Sequence, residues 1–416
     1  MKTSQDCDWI RLPIEIESDK EYIVSLESAF KNYYQWVKVL FSRNEGLVSC
    51  LDNEEKKKLL SAISTDRGVI SSCIKLYYKG DVAKASRRIL SLLKRLIKAD
   101  TSRFLKSEID NNYSTRLVAC YDEQKAPNVD YSPYLEPDLT FFRARTSYYT
   151  DYREMYHIPL NKRDIVGTER FSIPGMPCLY LGASSYDVWL EMGRPGYSNF
   201  NVSAFKLTNQ GKKLQVLNLV TSLYHIAGIN TIVFEKDKSK SNIDLLKLLL
   251  RVYLLVIATS IRNKNPQGKF RSDYIISHLI MMNLKDLKID GIAYVSKRID
   301  SSEEAVALPL MVNFAFPAFE PSKGNKKYGD ICEKFFVTTP VNYEEFTSVE
   351  RNSYDGDVFW SFYGNVKKPA KTTSEKLLDE IDVFKIAGKT TDYHRTDFFR
   401  FDEYLCSLNF YNIDKK

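Results

Sequence analysis

Residues 141–192 read FFRARTSYYTDYREMYHIPLNKRDIVGTERFSIPGMPCLYLGASSYDVWLEM, and the rest of the chain is organised around them. Phe141-Phe142 leads into Arg143, and Thr168-Glu169 leads into Arg170. Cys178-Leu179-Tyr180-Leu181 is a short apolar run with β character, ended by Gly182. Trp189-Leu190 then leads into Glu191, on a helix expected after that turn. Two arginines, a tyrosine and a carboxylate at strand ends and turns suit an anionic ligand. Guanidinium forks match phosphate oxygens and stay charged. Arg145 is the alternative to Arg143, since it lies two residues on and points the same way along a strand.

Outward from this stretch, Asn201–Leu207 and Leu214–Val220 alternate or run apolar, as strands do, with a weaker candidate at Ile232–Asp237. Asp244–Ile261 and Asp273–Leu284 read as helices, and Gly291–Val295 and Leu310–Phe316 as strands. Mixed elements in this order predict an α+β domain over residues 138–320. The apolar run Leu245–Ile261 is interrupted by Lys247 and Arg251, so a buried helix is expected there rather than a membrane span.

Residues 1–135 read as a helical N-terminal domain. Helices are expected over Lys20–Phe41, Glu54–Ile63, Val69–Tyr78 and Asp81–Lys98, with Asp81 able to cap the last. Arg87, Arg88, Lys94, Arg95 and Lys98 make that last helix basic, and a solvated face is favoured over an RNA-binding one. Pro127, Pro133 and Pro137 mark a linker over Lys125–Pro137. Residues 321–416 form an accessory C-terminal region, with a strand at Phe335-Phe336-Val337 and a helix over Ser374–Ala387, and the sequence assigns them no chemistry.

The 416 residues imply two or three domains. The net charge of +7 permits anionic ligands without demanding nucleic acid, which is disfavoured as a partner. Seven scattered cysteines with no CxxC argue against a disulfide framework and against a zinc site, so no metal is expected. The absence of an apolar leader points to a reducing cytoplasm. No G-x-G-x-x-G and no P-loop occurs. His157 lacks a partner Asp or Ser in register and reads as structural, while Cys178 reads as a buried thiol and Gly175 and Gly182 as turn glycines.

The pattern resembles the RES domain family, named for its Arg, Glu and Ser. The resemblance runs through Phe-Arg (Arg143), Glu-Arg-Phe-Ser (Arg170), Pro-Gly-Met-Pro-Cys-Leu-Tyr-Leu-Gly (Tyr180) and Trp-Leu-Glu (Glu191). It returns at Asp-Gly-Ile-Ala-Tyr-Val-Ser, ending in Ser296, and at Asn313-Phe314. Ser172 stands where the family often has Asn, and the intervals between Arg143 and Arg170 and between Glu191 and Ser296 are longer than in compact members.

The resemblance implies an ADP-ribosyltransferase-like fold acting on NAD as substrate. Arg143 and Arg170 would hold the phosphates or orient the ribose, and Tyr180 would contact the nicotinamide end. Glu191 would stabilise an oxocarbenium-like state, and Ser296 would complete the pocket. The implied function is NAD glycohydrolase or phosphorylase, with inorganic phosphate as a candidate acceptor and an antitoxin protein as partner, in a toxin or defence role. The alternatives are a protein mono-ADP-ribosyltransferase and a non-catalytic nucleotide-binding or interaction module. The helical segment is similar to the small helical domains that precede some RES domains and are compared with HEPN ribonucleases. Those nucleases need an Arg and a nearby His on one helix, and the first His here is His157, so this segment reads as scaffold or regulator.

Overall fold

The computed structural model describes residues 12–109, 139–230, 239–265, 270–298, 311–319, 327–352, 383–386, 389–392 and 396–413. The linker expected over 125–137 and the strand expected over 232–237 lie outside the described residues.

After a short strand β1 (Ile14–Ile16), three long helices open the chain: α1 (Tyr22–Arg43), α2 (Asn53–Tyr78) and α3 (Val82–Ala99). Asn44 ends α1 in the left-handed conformation, φ 52°, which Asn tolerates better than most side chains. Asp52 and Glu55 start α2 with a reciprocal capping box, satisfying two otherwise orphaned N–H groups. The Asp81 carboxylate accepts from the Lys84 N–H at the start of α3. The two helices expected over Glu54–Ile63 and Val69–Tyr78 are a single helix. The polar stretch Ser64–Gly68 that separates them in the sequence sits in mid-helix. There the buried Asp66 binds Arg95 of α3 at 3.1 Å and Arg251 at 2.7 Å.

The remaining elements build a large mixed sheet with its flanking helices. Its strands are β2 (Lys106–Glu108), β3 (Thr140–Arg145), β4 (Cys178–Gly182), β5 (Asn201–Leu207), β6 (Gln215–Asn218), β8 (Gly291–Val295), β9 (Val312–Pro317), β10 (Phe335–Thr338), β11 (Val341–Asn342) and β14 (Phe410–Asn412). They lie in the order β14-β10-β5-β3-β4-β9-β8-β6-β2, with β11 also on β5. The β6–β8 pair is parallel and the other pairs are antiparallel. The strand β7 (Ile261–Asn263) pairs instead with β1, in parallel. The helices are α4 (Ser185–Glu191), α5 (Leu223–Gly228), α6 (Lys240–Thr259), α7 (Ile275–Met282), α8 (Tyr343–Asn352) and α9 (Asp397–Ser407).

Three apolar clusters hold this together. The largest packs α1–α3 against α6, α7 and part of the sheet, through Phe30, Tyr33, Leu92, Leu249, Tyr253 and Ile292. Within it Tyr33 donates its hydroxyl to the Leu250 carbonyl at 2.6 Å. The successive residues Phe141 and Phe142 fall in two different clusters, as strand alternation requires. The packing runs across the boundaries near 135 and 320: β2 comes before the first, and β10, β11 and β14 after the second, yet all join one sheet. Helix α6 buries nearly every residue from Leu245 to Thr259, the behaviour of a helix that is apolar all round inside a core. No helix among the described residues is long and apolar enough to cross a membrane.

The helix expected over Ser374–Ala387 is corrected where it can be seen. Residues Val383–Ile386 form a strand, β12, paired antiparallel with β13 (Lys389–Asp392). Val, Phe and Ile favour a pleated backbone, and this outweighs the distant capping signal of Ser374.

Candidate functional site

The site is built at the end of the central strands β3, β4, β9 and β8. Register places Gly182 opposite both Phe142 and Asn313, and Asn313 opposite Tyr294. Gly182 is therefore the last residue of a strand rather than a turn glycine. A Cβ there would meet Val188 Cγ2 at 2.7 Å and Asp187 Oδ2 at 3.2 Å, so its bare backbone lets α4 seat directly on the strand end. Ser184 starts that helix by accepting from the Asp187 N–H. Seven residues of helix then carry Glu191 to the rim of a cavity of about 470 Å³.

Arg143, Arg170, Tyr180, Glu191, Lys297 and Asn313 are among the residues lining this cavity. Ser296, just past β8 and 5 % exposed, donates its hydroxyl to Glu191 Oε1 at 2.5 Å. The Asn313 amide donates to the same oxygen at 3.3 Å. Ser296 is itself held by its backbone N–H on the Met311 carbonyl, and its Oγ accepts from the Arg298 N–H at 3.1 Å. Five sequence-predicted positions thus meet around one space, four on its lining and Ser296 through Glu191.

The two arginines are anchored differently. Arg143 donates to the Tyr180 carbonyl at 2.9 Å, and its Nε has no hydrogen-bond partner among the described residues. Burial, followed by the neighbouring charge of Arg145, presses its pKa down to about 9, which still leaves a cation at neutral pH. Arg170 is buried and donates to the carbonyls of Val295 at 2.8 Å and Thr259 at 3.4 Å. Its guanidinium lies 4.3 Å from the centroid of the Tyr294 ring, a cation–π contact. Arg145, the alternative to Arg143, donates to the Tyr156 carbonyl at 2.7 Å and does not line the cavity. Tyr180 spends its hydroxyl on the Phe171 carbonyl at 2.8 Å and so offers the cavity its ring.

Two tempting residues stand apart from this chemistry. His157 is buried, with Nδ1 2.7 Å from the Ile158 carbonyl and Nε2 accepting the Gly329 N–H at 3.0 Å. Burial pushes its pKa down to about 4, so it is a neutral structural imidazole at pH 7. The Cys178 thiol is pushed up to about 12 by burial, which leaves it protonated and a poor nucleophile.

Three residues beyond the sequence-predicted set complete the site. Asn313 was visible only as part of the late Asn-Phe motif. Lys297 is buried, with Nζ 2.9 Å from Asp273 Oδ2 and 2.7 Å from the Ile261 carbonyl, and burial lowers its pKa to about 7. Burial works to raise the Asp273 carboxyl, but Lys297 and Arg271 outweigh it and hold it below the usual range. Asp187 lies one helical turn before Glu191, fully buried, with no hydrogen-bond partner on either oxygen among the described residues. Among the described residues no group of three or more His, Cys, Asp or Glu side chains is placed to hold a metal ion.

No family model matches the chain, and no solved structure matches it. It is 30% identical over 271 residues to a protein of Bacillus subtilis (strain 168) named "Putative toxin YopC". The alignment covers 64% of this chain and 55% of that protein, so the chain spans about half the length of its curated relative. The chain is thus a distant homologue of a protein whose name describes it as a toxin.

Proposed function

We propose that this chain is a RES-type, ADP-ribosyltransferase-like enzyme that cleaves the bond between nicotinamide and ribose in NAD. It would act as a glycohydrolase or phosphorylase, in a toxin or defence role restrained by an antitoxin. The observation that carries this reading is the Glu191 carboxylate, fixed by Ser296 and Asn313 on the rim of a cavity that also presents Arg143 and Arg170. The distant relationship to a protein named as a toxin agrees with that role.

The chemistry explains why these residue types suffice. When the C–N bond breaks, its electron pair leaves with nicotinamide, which departs neutral and needs no acid. Positive charge builds on the ribose, and a carboxylate fixed in advance stabilises it without reorganising. The arginines suit the pyrophosphate, and the Tyr180 ring offers a face for a flat heterocycle. A water or phosphate oxygen then bonds to the ribose carbon. In the water case the surplus proton passes to Glu191 or to solvent.

The test is NAD loss by the purified full chain, with and without inorganic phosphate, beside Glu191→Ala. Turnover that falls on the order of a hundred- to a thousand-fold in the variant supports the reading, and its phosphate dependence identifies the acceptor. Turnover indifferent to Glu191 overturns the site. ADP-ribose appearing on protein, with little free product, replaces the glycohydrolase with a transferase.

A further inference from the structure

Asp187 and Glu191 are four residues apart on α4 and therefore share a helix face. Asp187 is 0 % exposed, and neither of its oxygens has a hydrogen-bond partner among the described residues. A buried, unpaired carboxylate is costly, and the group avoids the cost by keeping its proton. The charged and titratable groups around it point the same way. Glu191 on its own helix is a second acid, Tyr294 of β8 is another group of negative tendency, and Asp402 of α9 sits at the neighbouring Ser185. Arg170 is the opposing cation, and its guanidinium is already engaged by the carbonyls of Val295 and Thr259. Burial, then the charge of Glu191, hold the Asp187 carboxyl well above the usual range, against the weaker pull of the Asn313 amide and Arg170.

The geometry gives that acid a task. The Cβ position missing from Gly182 lies 3.2 Å from Asp187 Oδ2 and 3.5 Å from Asn313 Oδ1, so both side chains border the same point. A carboxylic acid O–H can donate to an amide oxygen, which a carboxylate cannot do. The other end of the Asn313 amide, Nδ2, donates to Glu191 Oε1 at 3.3 Å. An acid O–H on Asp187 would hold Asn313 Oδ1 on its own side and so turn Nδ2 toward Glu191.

We propose that Asp187 works as an uncharged carboxylic acid, a positioning residue that fixes the Asn313 amide and through it the carboxylate of Glu191. This rests on the reading of Glu191 as the charge-stabilising residue. It differs from that reading in assigning the second acid of the helix an uncharged state and no contact with substrate.

The experiment compares the full chain with Asp187→Asn and Asp187→Ala across pH. In NAD turnover, Asp187→Ala is expected to lower kcat about tenfold, one charge-independent hydrogen bond's worth, with KM little changed. Asp187→Asn, which mimics the neutral acid, is expected to recover most of that loss. It should also lack the high-pH fall in kcat that ionisation of Asp187 produces in the wild type. Asn failing as badly as Ala, or identical pH profiles for wild type and Asp187→Asn, overturns the proposal.

A second readout needs no turnover. The folded carboxyl titrates above the unfolded one, so the unfolded chain gives up its proton first. Wild-type stability should therefore fall relative to Asp187→Asn as pH rises above about 4. Parallel denaturation curves against pH overturn the proposal even if the chain never consumes NAD. A divergence in that direction supports it, whatever becomes of the proposed reaction.

Discussion

The backbone N–H of Ser185 donates to the carboxylate of Asp402, 3.1 Å from Oδ1 and 3.4 Å from Oδ2, across 217 residues of sequence. Asp402 is fully buried. It lies on α9, in the region to which the sequence assigned no chemistry, and it grips the first residue of the helix that carries Asp187 and Glu191. The aromatic packing is continuous with that grip: Phe398 lies 5.2 Å from Tyr186 and 5.6 Å from Trp189 between ring centroids. The C-terminal segment is thus part of the wall that sets the direction of α4.

Asp402→Ala should destabilise the chain by about 1–3 kcal/mol, because it strands a buried N–H at the start of α4. Asp402→Asn keeps one acceptor oxygen and should recover part of that loss. Urea denaturation measures both. Equal stability of wild type and Asp402→Ala would mean that the Ser185 N–H finds another partner and that α4 does not depend on α9.

Ser296→Ala removes the 2.5 Å hydrogen bond to Glu191 Oε1 and the acceptor of the Arg298 N–H. A bond to a charged acceptor contributes about 1.5–3 kcal/mol, roughly a ten- to a hundredfold effect if that carboxylate acts mainly in the transition state. The loss is expected in kcat, with KM for NAD nearly unchanged. A rise in KM at constant kcat would assign Ser296 to substrate binding instead.

The site shows what a sequence can and cannot carry. Arg143, Tyr180 and Glu191 sit beside local signals: an apolar run, a strand-ending glycine, a short helix after it. Ser296 and Glu191 meet across 105 residues, and no local spacing encodes that meeting. Asp187 was hidden by its own neighbourhood. Ser184-x-x-Asp187 has the look of a capping pair, and Ser184 does cap the Asp187 N–H, but the carboxyl turns inward instead of closing the box. The division of α2 failed for a related reason. Ser64–Gly68 is polar enough to look like a break, whereas Asp66 faces inward to two arginines on other helices.

Asp66 therefore carries its own prediction. It is 2 % exposed and bridges Arg95 of α3 and Arg251 of α6, tying three helices together. Removing one partner of a buried ion pair strands the other charge and costs about 3–5 kcal/mol. Because Arg95 is half-exposed and can turn to water, Asp66→Ala should fall near the lower end. A loss below about 1 kcal/mol in chemical denaturation would mean that Arg251 also reaches solvent.

His157 makes stability depend on pH in a direction that can be worked out. Burial, with the nearby charges of Arg143 and Arg145, holds its folded pKa at about 4, against about 6.5 for an unfolded histidine. Between those values the unfolded chain takes up a proton that the folded chain refuses. The contribution of His157 is therefore fully present above about pH 6.5 and is lost as pH falls toward 4. By pH 5 the wild type should have lost about 2 kcal/mol from this group. His157→Gln keeps an acceptor for the Gly329 N–H but cannot titrate, so its stability should change less between pH 7 and pH 5. Asp187 acts in the opposite sense over part of this range, and comparing wild type with His157→Gln cancels it because both proteins carry it. Curves that stay parallel from pH 7 to pH 5 would show that the imidazole titrates normally and that its burial in the fold is incomplete.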